Sequence, residues 1–383
     1  MSIYRNTAPT QYRLTTLERL GFCMNISELT PLGWQPSFQQ QLSLQEWDSI
    51  VPARIVDYQR SVFTVSTGTQ QLTLAITPAM PAMTVGDWVL LDTDKHFVRL
   101  LERASLFSRK AAGTKVATQL IAANIDTVFI VCSMNQDFSL NRIERYLTLC
   151  HEARVEPVIV LTKIDLCANP DDYIRQAENL GALLMVVAVN ALDPHSVKAL
   201  APWCTTGKTV ALLGSSGVGK SSLVNTLLGE TIQTTGAIRA ADDEGRHTTT
   251  SRSLHFLPDS NLLADGESSG GTFSRGLLLD TPGMRELQLV ASEDAVAGTF
   301  ADISELSEHC KFADCQHRQE PGCAVLAAVE AGELDERRLA SFHKLLREQA
   351  FNAATLAEKR AHGRKLGKLY RTSQQAHDLK RGD

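Results

Sequence analysis

One glycine-rich stretch of the sequence has the residue types and the spacing needed to hold a chain of phosphates. It reads Gly214-Ser215-Ser216-Gly217-Val218-Gly219-Lys220-Ser221, with Ser222 following, and fits the phosphate-loop pattern G-x-x-x-x-G-K-[ST]. In that pattern backbone N–H groups surround phosphate oxygens, the lysine reaches the β- and γ-phosphates, and the hydroxyl ligates Mg²⁺. We therefore expect a nucleoside triphosphate here, with Lys220 as a catalytic residue and Ser221 as a magnesium ligand.

The sequence on either side of this loop has the character that the loop requires. Residues 208–213 form a short apolar run, typical of a buried parallel strand. Residues 222–228 are apolar at helical spacing and end before Gly229. A strand, a glycine turn and a helix N-terminus together favour anion binding, which a chance glycine-rich turn would not.

A second motif, Thr162-Lys163-Ile164-Asp165, follows a predicted strand over residues 155–161 and resembles the guanine-reading [N/T]-K-x-D of GTPases. A carboxylate at Asp165 can accept hydrogen bonds from both the imino and the amino group of guanine. Adenine offers no such pair, so this residue would select GTP over ATP. The Lys163 stem can cover the face of the base, and Thr162 stands where Asn is more usual. Asn190 and Ala191, after another predicted strand, occupy the place of a second base-contacting loop.

A third motif, Asp280-Thr281-Pro282-Gly283, follows the apolar run 276–279 and matches D-x-x-G. In this motif the Asp holds Mg²⁺ through water, and the N–H of the Gly, here Gly283, senses the γ-phosphate. Met284 comes next, where many GTPases carry a glutamine that orients water. An apolar side chain cannot orient water, so intrinsic hydrolysis should be slow unless another group acts.

Residues 245–250 (GRHTTT) have the position expected of the first switch, between the phosphate loop and D-x-x-G. We expect one of its threonines to ligate Mg²⁺ and prefer Thr250. His247 is a candidate for positioning the attacking water, and the alternative is an exposed loop histidine.

The motifs follow one another in an unusual order, because the guanine motif precedes the phosphate loop. Joining the original termini and cutting the chain elsewhere would leave every strand in its place. The sequence therefore predicts an α/β P-loop GTPase domain that is circularly permuted, with a mostly parallel sheet. Residues 107–120, which precede its first strand, are predicted to be a linker.

Two further modules flank this α/β region. Five short β-type runs (51–58, 61–66, 70–76, 87–91 and 96–101) predict a small barrel, for which an OB-fold is the obvious candidate. Such barrels bind nucleic acid or serve only as structure, and these residues do not decide between the two. On the other side, Cys310, Cys315, His317 and Cys323 have spacing suited to a closed, structural Cys₃His zinc site, with buried thiols or a redox pair as alternatives. The C-terminal helical tail, residues 359–381, is strongly basic, which is typical of an arm on RNA phosphates or of a solvated helix end.

The composition is that of an ordinary globular protein: 383 residues, 43% hydrophobic, 21% charged and a net charge of −5. No apolar run approaches the roughly 20 residues of a membrane span. Residues 1–30 lack the basic start and apolar core of a secretory signal. We therefore expect a cytoplasmic protein, whose eight cysteines are metal ligands or buried thiols rather than disulfides.

A barrel, a permuted GTPase and a Cys-x₄-Cys-x-His-x₅-Cys module, in that order, resemble the bacterial RsgA/YjeQ family. The motifs that carry the likeness are TKID, GSSGVGKSS, GRHTTT, DTPGMRE and the zinc ligands. The resemblance implies an OB-fold, GTP hydrolysis stimulated by the small ribosomal subunit, and a late role in maturation of that subunit. It also implies contact with ribosomal RNA, one zinc ion and a monomeric free state. The domains expected are 1–48 (extension), 49–104 (OB-fold), 105–298 (GTPase) and 299–383 (zinc-binding helices and basic tail).

Two other classes of function remain open on sequence. One is a P-loop ATPase or small-molecule kinase, for which the TKID motif would be accidental. The other is a non-catalytic RNA-binding protein in which the nucleotide is only a structural clamp.

Overall fold

The computed structural model describes residues 26–47, 49–59, 61–110, 118–229, 252–258, 276–280 and 292–353. Its strands are β1 (Val51–Gln59), β2 (Val62–Ser66), β3 (Gln71–Ala75), β4 (Trp88–Leu91), β5 (Phe97–Leu100), β6 (Leu106–Lys110), β7 (Thr118–Ala123), β8 (Thr127–Ser133), β9 (Glu156–Thr162), β10 (Met185–Val189), β11 (Thr209–Leu213), β12 (Arg252–Phe256) and β13 (Leu277–Asp280). Its α-helices are α1 (Ile26–Leu29), α2 (Pro36–Gln39), α3 (Leu44–Trp47), α4 (Leu140–Ala153), α5 (Pro170–Glu178), α6 (Pro194–Val197), α7 (Lys220–Leu228), α8 (Glu293–Thr299), α9 (Ala301–Ser307), α10 (Ala324–Glu330) and α11 (Glu336–Ala353). None of these helices is long and apolar enough to cross a membrane.

The predicted parallel sheet is confirmed. Its strands lie in the order β10-β9-β8-β11-β13, each parallel to its neighbour, and β12 adds an antiparallel strand beside β13. Every residue of β8 and β11 is buried, because helices cover both faces of a parallel sheet. The carboxyl ends of the parallel strands share one edge, where ligands of such sheets bind.

The five predicted strands of the barrel are present, and β1 is the central strand among them. It pairs antiparallel with both β2 and β4, while β3 extends the β2 side and β5 the β4 side. The register of β1 with β2 shifts between Ile55 and Asp57, an irregularity of the kind that bends a strand. The OB-fold itself stays a prediction.

The segment 26–47 packs on this barrel through its short helices. Leu32, Trp34 and Phe38 form one buried cluster with Trp88. Beneath them the fully buried Arg54 of β1 donates hydrogen bonds to the Leu32 carbonyl (2.6 Å), the Asn124 carbonyl (2.7 Å) and Thr209 Oγ1 (2.9 Å). Burial lowers the pKa of this guanidinium to about 10, against the opposing effect of nearby carboxylates. One arginine thereby joins the N-terminal segment, the barrel and the parallel sheet.

The predicted linker over residues 107–120 is wrong at 107–110 and 118–120, which form strands, while residues 111–117 lie outside the described residues. β6 and β7 form an antiparallel hairpin, with Leu106 paired to Ala123 and Lys110 to Thr118. Among the described side chains, the buried ones, such as Phe107 and Ile121, lie at the base of the hairpin, and the sequence of the outer part contains Arg109 and Lys110. A hairpin with so few buried positions lacks the apolar alternation by which a strand is recognised in a sequence.

The C-terminal helices attach to the GTPase sheet through α4, which packs against α8 and α11. The contact contains a buried ionic cluster: Glu144 of α4 is fully buried and accepts hydrogen bonds of 3.1 Å from Arg337 and Arg338 of α11. Arg338 also binds Asp302 of α9 at 2.7 Å. Removing one partner would leave a buried charge unpaired, so the cluster fixes how these helices sit on α4.

Candidate functional site

The phosphate loop spans the turn between the end of β11 and the start of α7. Gly214, Gly217 and Gly219 have φ values of +152°, +79° and +95°, in the region that side chains with a Cβ rarely adopt. At Gly214 a Cβ would also lie 2.4 Å from the carbonyl oxygen of Val131 on the neighbouring strand β8. The glycines of the motif are therefore required by the backbone path of the loop.

Lys220 is the first residue of α7 and is buried, with 7% of its surface exposed. Its Nζ donates a hydrogen bond to the backbone carbonyl of Ser215, across the loop. The ammonium group is thus held over the loop, close to the N-terminus of α7, whose backbone N–H groups also favour an anion. Ser221 follows in the first turn of that helix.

Three segments that are distant in sequence meet at Gly219. A Cβ built there would lie 3.5 Å from Thr162 Oγ1 and 3.8 Å from the Cβ of Ala191. Ala191 is also held by α7, because the hydroxyl of Thr226 donates a 2.7 Å hydrogen bond to the Ala191 carbonyl. The phosphate loop, the TKID motif and the Asn190-Ala191 segment therefore form one edge, as expected.

Thr162 supports the phosphate loop from beneath. The residue is fully buried, and its hydroxyl donates a 2.6 Å hydrogen bond to the carbonyl of Val218, inside the loop. The same oxygen lies 3.3 Å from the carbonyl of Cys132 on β8. The threonine that replaces the more usual asparagine thus joins the guanine motif to the phosphate loop, and its hydroxyl is occupied by backbone.

Beyond Thr162 the TKID motif leaves the sheet, with Ile164 packed on the core and Asp165 exposed. Lys163 has a φ of +62° and starts a short 3₁₀ turn, Ile164–Leu166, which places Asp165 at the exposed edge beyond β9. Asn190 is used differently from Asp165, because its Oδ1 accepts a hydrogen bond from the N–H of Leu192 (3.0 Å) and so shapes its own turn. Within the described residues, Asp165 is the acidic group that the motif offers to a base.

The Thr162 hydrogen bond makes a testable prediction. Thr162→Val keeps the shape of the side chain but leaves a buried carbonyl without its donor, which costs about 1–3 kcal/mol. Affinities for GTP and GDP should both fall, by about tenfold for each 1.4 kcal/mol. Equilibrium binding of fluorescent GTP and GDP measures this, and Thr162→Ser, which keeps the hydroxyl, is the control. A fall in GDP affinity with unchanged ADP affinity would instead place the hydroxyl on the base.

Asp280, proposed from sequence as a magnesium ligand, is the last residue of β13. β13 runs parallel to β11 with Leu279 opposite Ala211, so in that register Asp280 lies level with Leu212, next to the phosphate loop. On its other side Asp280 pairs with Ser253 of β12. Gly283, Met284, and residues 245–250 with His247 and Thr250, lie outside the described residues.

The four predicted metal ligands lie together in the turn before α10. The Sγ atoms of Cys310, Cys315 and Cys323 and the ring nitrogen of His317 are all within 4.8 Å of one another. Cys310 Sγ is 3.8 Å from Cys323 Sγ, and His317 Nδ1 is 3.6 Å and 3.4 Å from those two sulfurs. Ligands on a zinc tetrahedron, with Zn–S of about 2.3 Å and Zn–N of about 2.0 Å, stand about 3.5–3.8 Å apart, so the donor set fits this metal.

The chemistry of the cluster also fits a cation. Burial, with the adjacent Cys323 and Cys310 thiols, raises the pKa of the Cys315 thiol to about 11. Neighbouring thiolates repel one another, and a divalent cation removes that cost. The remaining described cysteines lie elsewhere: Cys132, Cys150 and Cys204 are buried and Cys167 is half-buried, as expected of structural thiols.

Two residues escaped sequence reasoning, Thr226 within the site and Arg252 outside it, at the start of β12. Thr226 was part of an apolar helix, yet its hydroxyl holds the Asn190-Ala191 segment. Arg252, which follows the first switch, contacts the barrel and the β6–β7 hairpin. The signal for Thr226 was a polar side chain interrupting an apolar run, whereas Arg252 lies in a polar stretch and gave no such signal.

Comparisons with known proteins agree with the geometry. The family model described as RsgA GTPase matches residues 100–290. The "Small ribosomal subunit biogenesis GTPase RsgA 2" of Vibrio parahaemolyticus is 56% identical over 343 residues, covering 90% of this chain and 92% of that protein. The "Small ribosomal subunit biogenesis GTPase RsgA" of Mesorhizobium japonicum is 45% identical over 330 residues, covering 85% of this chain and 90% of the relative.

Solved structures share the fold. YjeQ from Thermotoga maritima superposes with a TM-score of 0.58 at 24% identity, covering 79% of this chain and 99% of that one. YloQ, titled a circularly permuted GTPase, gives 0.55 at 24% identity, with coverage of 80% and 97%. The permuted order of strands predicted from the motifs is therefore confirmed.

Proposed function

The chain belongs to the RsgA GTPase family, and from that premise we propose that it hydrolyses GTP to GDP and phosphate while acting in late maturation of the small ribosomal subunit. The bound nucleotide, GTP or GDP, would control when the protein leaves the subunit. Relatives at 45–56% identity carry small ribosomal subunit biogenesis in their names, which supports this assignment.

The observation that carries the proposal is the meeting of phosphate loop and guanine motif at Gly219. A loop for phosphates alone would suit any nucleoside triphosphate. Thr162 joins that loop by a hydrogen bond to the segment that carries the exposed Asp165. The loop would hold the phosphates, and Asp165 would bind the base. This arrangement favours GTP over ATP.

Each residue of the site has a proposed role. The triphosphate would contact the loop backbone and Lys220, and Mg²⁺ would be held by Ser221 and Asp280 with a threonine of the first switch, Thr250 by preference. Asp165 would accept hydrogen bonds from guanine, and the Lys163 side chain would cover the face of the base. The full proposed set for GTP is Thr162, Lys163, Ile164, Asp165, Asn190, Ala191, Gly214, Ser215, Ser216, Gly217, Val218, Gly219, Lys220, Ser221, Ser222 and Gly283.

The water that attacks the γ-phosphate needs a group to orient it. Met284 cannot do so, and we propose His247, the substrate itself or a ribosomal group for the task. A dependence on the ribosome would follow, since an isolated enzyme without a water-orienting side chain hydrolyses GTP slowly.

One structural Zn²⁺ is proposed at Cys310, Cys315, His317 and Cys323. With four protein ligands the metal would have no open position for catalysis, so its role would be to hold the turn before α10. We further propose contact with ribosomal RNA, a monomeric state when free, and a cytoplasmic location, where small subunits are assembled.

Measuring GTP turnover with and without purified small subunits tests the function. We expect slow turnover by the free protein and a rise of at least about tenfold with subunits, with excess ATP failing to compete. Equal competition by ATP would favour an ATPase or kinase. Absence of turnover even with subunits would favour an RNA-binding protein with the nucleotide as a clamp.

A further inference from the structure

Strand β12 joins the GTPase sheet to the barrel. It pairs antiparallel with β13 from Ser253 to Phe256, and on its other side with β1, where Arg252 lies opposite Tyr58 and Ser253 opposite Asp57. Hydrogen-bonded strands move together, so a displacement of β12 reaches β1 directly. The sheet is thereby continuous from the phosphate loop to the barrel.

Both switch segments attach at the same end of this junction. Residues 245–250 lead through residue 251 into Arg252, the first residue of β12, and the D-x-x-G motif starts at Asp280, the last residue of β13. Because Ser253 is the partner of Asp280, these two points are neighbours. Asp57 and Tyr58 of the barrel lie beside them in the same row.

Arg252 is fixed on the barrel side of the junction. It is buried, with 8% of its surface exposed, and its Nη1 donates a 2.6 Å hydrogen bond to the Leu120 carbonyl of the β6–β7 hairpin. The same nitrogen lies 3.4 Å from Thr84 Oγ1, and the guanidinium lies over the ring of Tyr58, 5.6 Å from its centroid. Thr84 in turn donates to the Ile121 carbonyl at 2.9 Å. The side chain thus contacts the barrel and the hairpin together.

We propose that Arg252 couples the nucleotide state of the first switch to the barrel and the β6–β7 hairpin. This inference rests on the proposed GTPase cycle. One residue separates position 250 from Arg252 in the chain. A response to the γ-phosphate that displaced the start of β12 would therefore displace the Arg252 guanidinium, which contacts the barrel and the hairpin together. Coupling of this kind is reciprocal, so a partner bound to the barrel also changes the affinity for GTP.

Hydrogen exchange of the free, full-length protein tests the coupling without a ribosome. In the wild type, replacing a non-hydrolysable GTP analogue by GDP should change amide exchange in residues 51–66 and 118–123. In Arg252→Met that difference should disappear, while the affinities for both nucleotides stay within about twofold of wild type, since Arg252 is outside the nucleotide site. Arg99→Met is the control, because Arg99 is a barrel arginine whose hydrogen bonds go to Glu46 and the Gln41 carbonyl.

Melting curves establish that the variants are folded. Should Arg252→Met be unfolded, Tyr58→Leu, which removes the ring under the guanidinium, is scored in the same way. A nucleotide-dependent difference in barrel exchange that persists in the folded variant overturns the proposal, as does a wild type that shows no difference.

Binding to purified small subunits adds a second measurement. The ratio of subunit affinities between the GTP-analogue and GDP forms should fall by about fivefold or more in Arg252→Met, within the usual range of coupling. A wild type with the same subunit affinity in both forms would refute the proposed release cycle, and the coupling through Arg252 would then be judged by exchange alone. An unchanged ratio in the variant overturns the coupling.

Discussion

Replacing Lys220 by alanine should lower nucleotide affinity and GTP turnover by at least about 100-fold, the usual cost of losing one fixed donor to a developing charge. The ammonium group is buried at the first turn of α7 and is held over the loop by the Ser215 carbonyl. Alanine leaves the γ-phosphate without its cation at a place from which water is largely excluded, where the loss is greatest. Equilibrium binding of a fluorescent GTP analogue and phosphate release with small subunits measure the effect.

The matched control lies four residues earlier in the same loop. Ser216 is exposed and belongs to the variable part of the motif, so it serves the phosphates through its backbone. Ser216→Ala keeps that backbone N–H and should retain near-wild-type binding. If Lys220→Ala bound and hydrolysed GTP as well as Ser216→Ala, the assignment of the phosphate loop would be refuted.

Loss of one ligand of the Cys₃His site should have the second large effect, a loss of structure confined to the residues around that site. Cys310→Ser removes one ligand of the proposed zinc site, and structural zinc contributes on the order of 10 kcal/mol of folding free energy in zinc-finger peptides. We expect loss of bound zinc and of hydrogen-exchange protection in residues 308–334. The GTPase sheet should keep most of its protection, because the hydrophobic core under α6 and α7 contains no residue from 308–334. Metal analysis and hydrogen exchange report the two results.

Cys167→Ser is the control for the cluster. Cys167 is a half-buried thiol beside the guanine motif, and the four clustered ligands do not include it. Its replacement should leave zinc content unchanged. One equivalent of zinc retained by Cys310→Ser, with normal protection of residues 308–334, would contradict a structural metal at this site.

The parts of the fold that could be predicted are those with buried, uninterrupted apolar runs. β9 and β11 begin and end within about one residue of their predicted bounds, because strands covered on both faces have sequences of continuous Val, Ile and Leu. The β6–β7 hairpin was missed since its outer half is polar and basic. Its two strands pair with each other in a separate two-stranded sheet, where few positions have to be apolar.

In the candidate site, too, some residues could be predicted from the sequence and others could not. The phosphate loop and the Cys₃His cluster have fixed residue types at fixed spacing, so their members could be named before their positions were known. The function of Thr162 could not, because its acceptor, the Val218 carbonyl, is 56 residues away in the chain. Arg252 illustrates this further, since its contacts with Tyr58, Thr84 and Leu120 exist only after the barrel has docked on β12.

The most direct test of the account is the affinity of the full-length protein for purified small ribosomal subunits, loaded either with a non-hydrolysable GTP analogue or with GDP. The account predicts tight attachment in the GTP-analogue form and attachment weakened by about fivefold or more in the GDP form. Equal attachment in the two forms would contradict it, because the nucleotide would then have no part in deciding when the protein leaves the subunit.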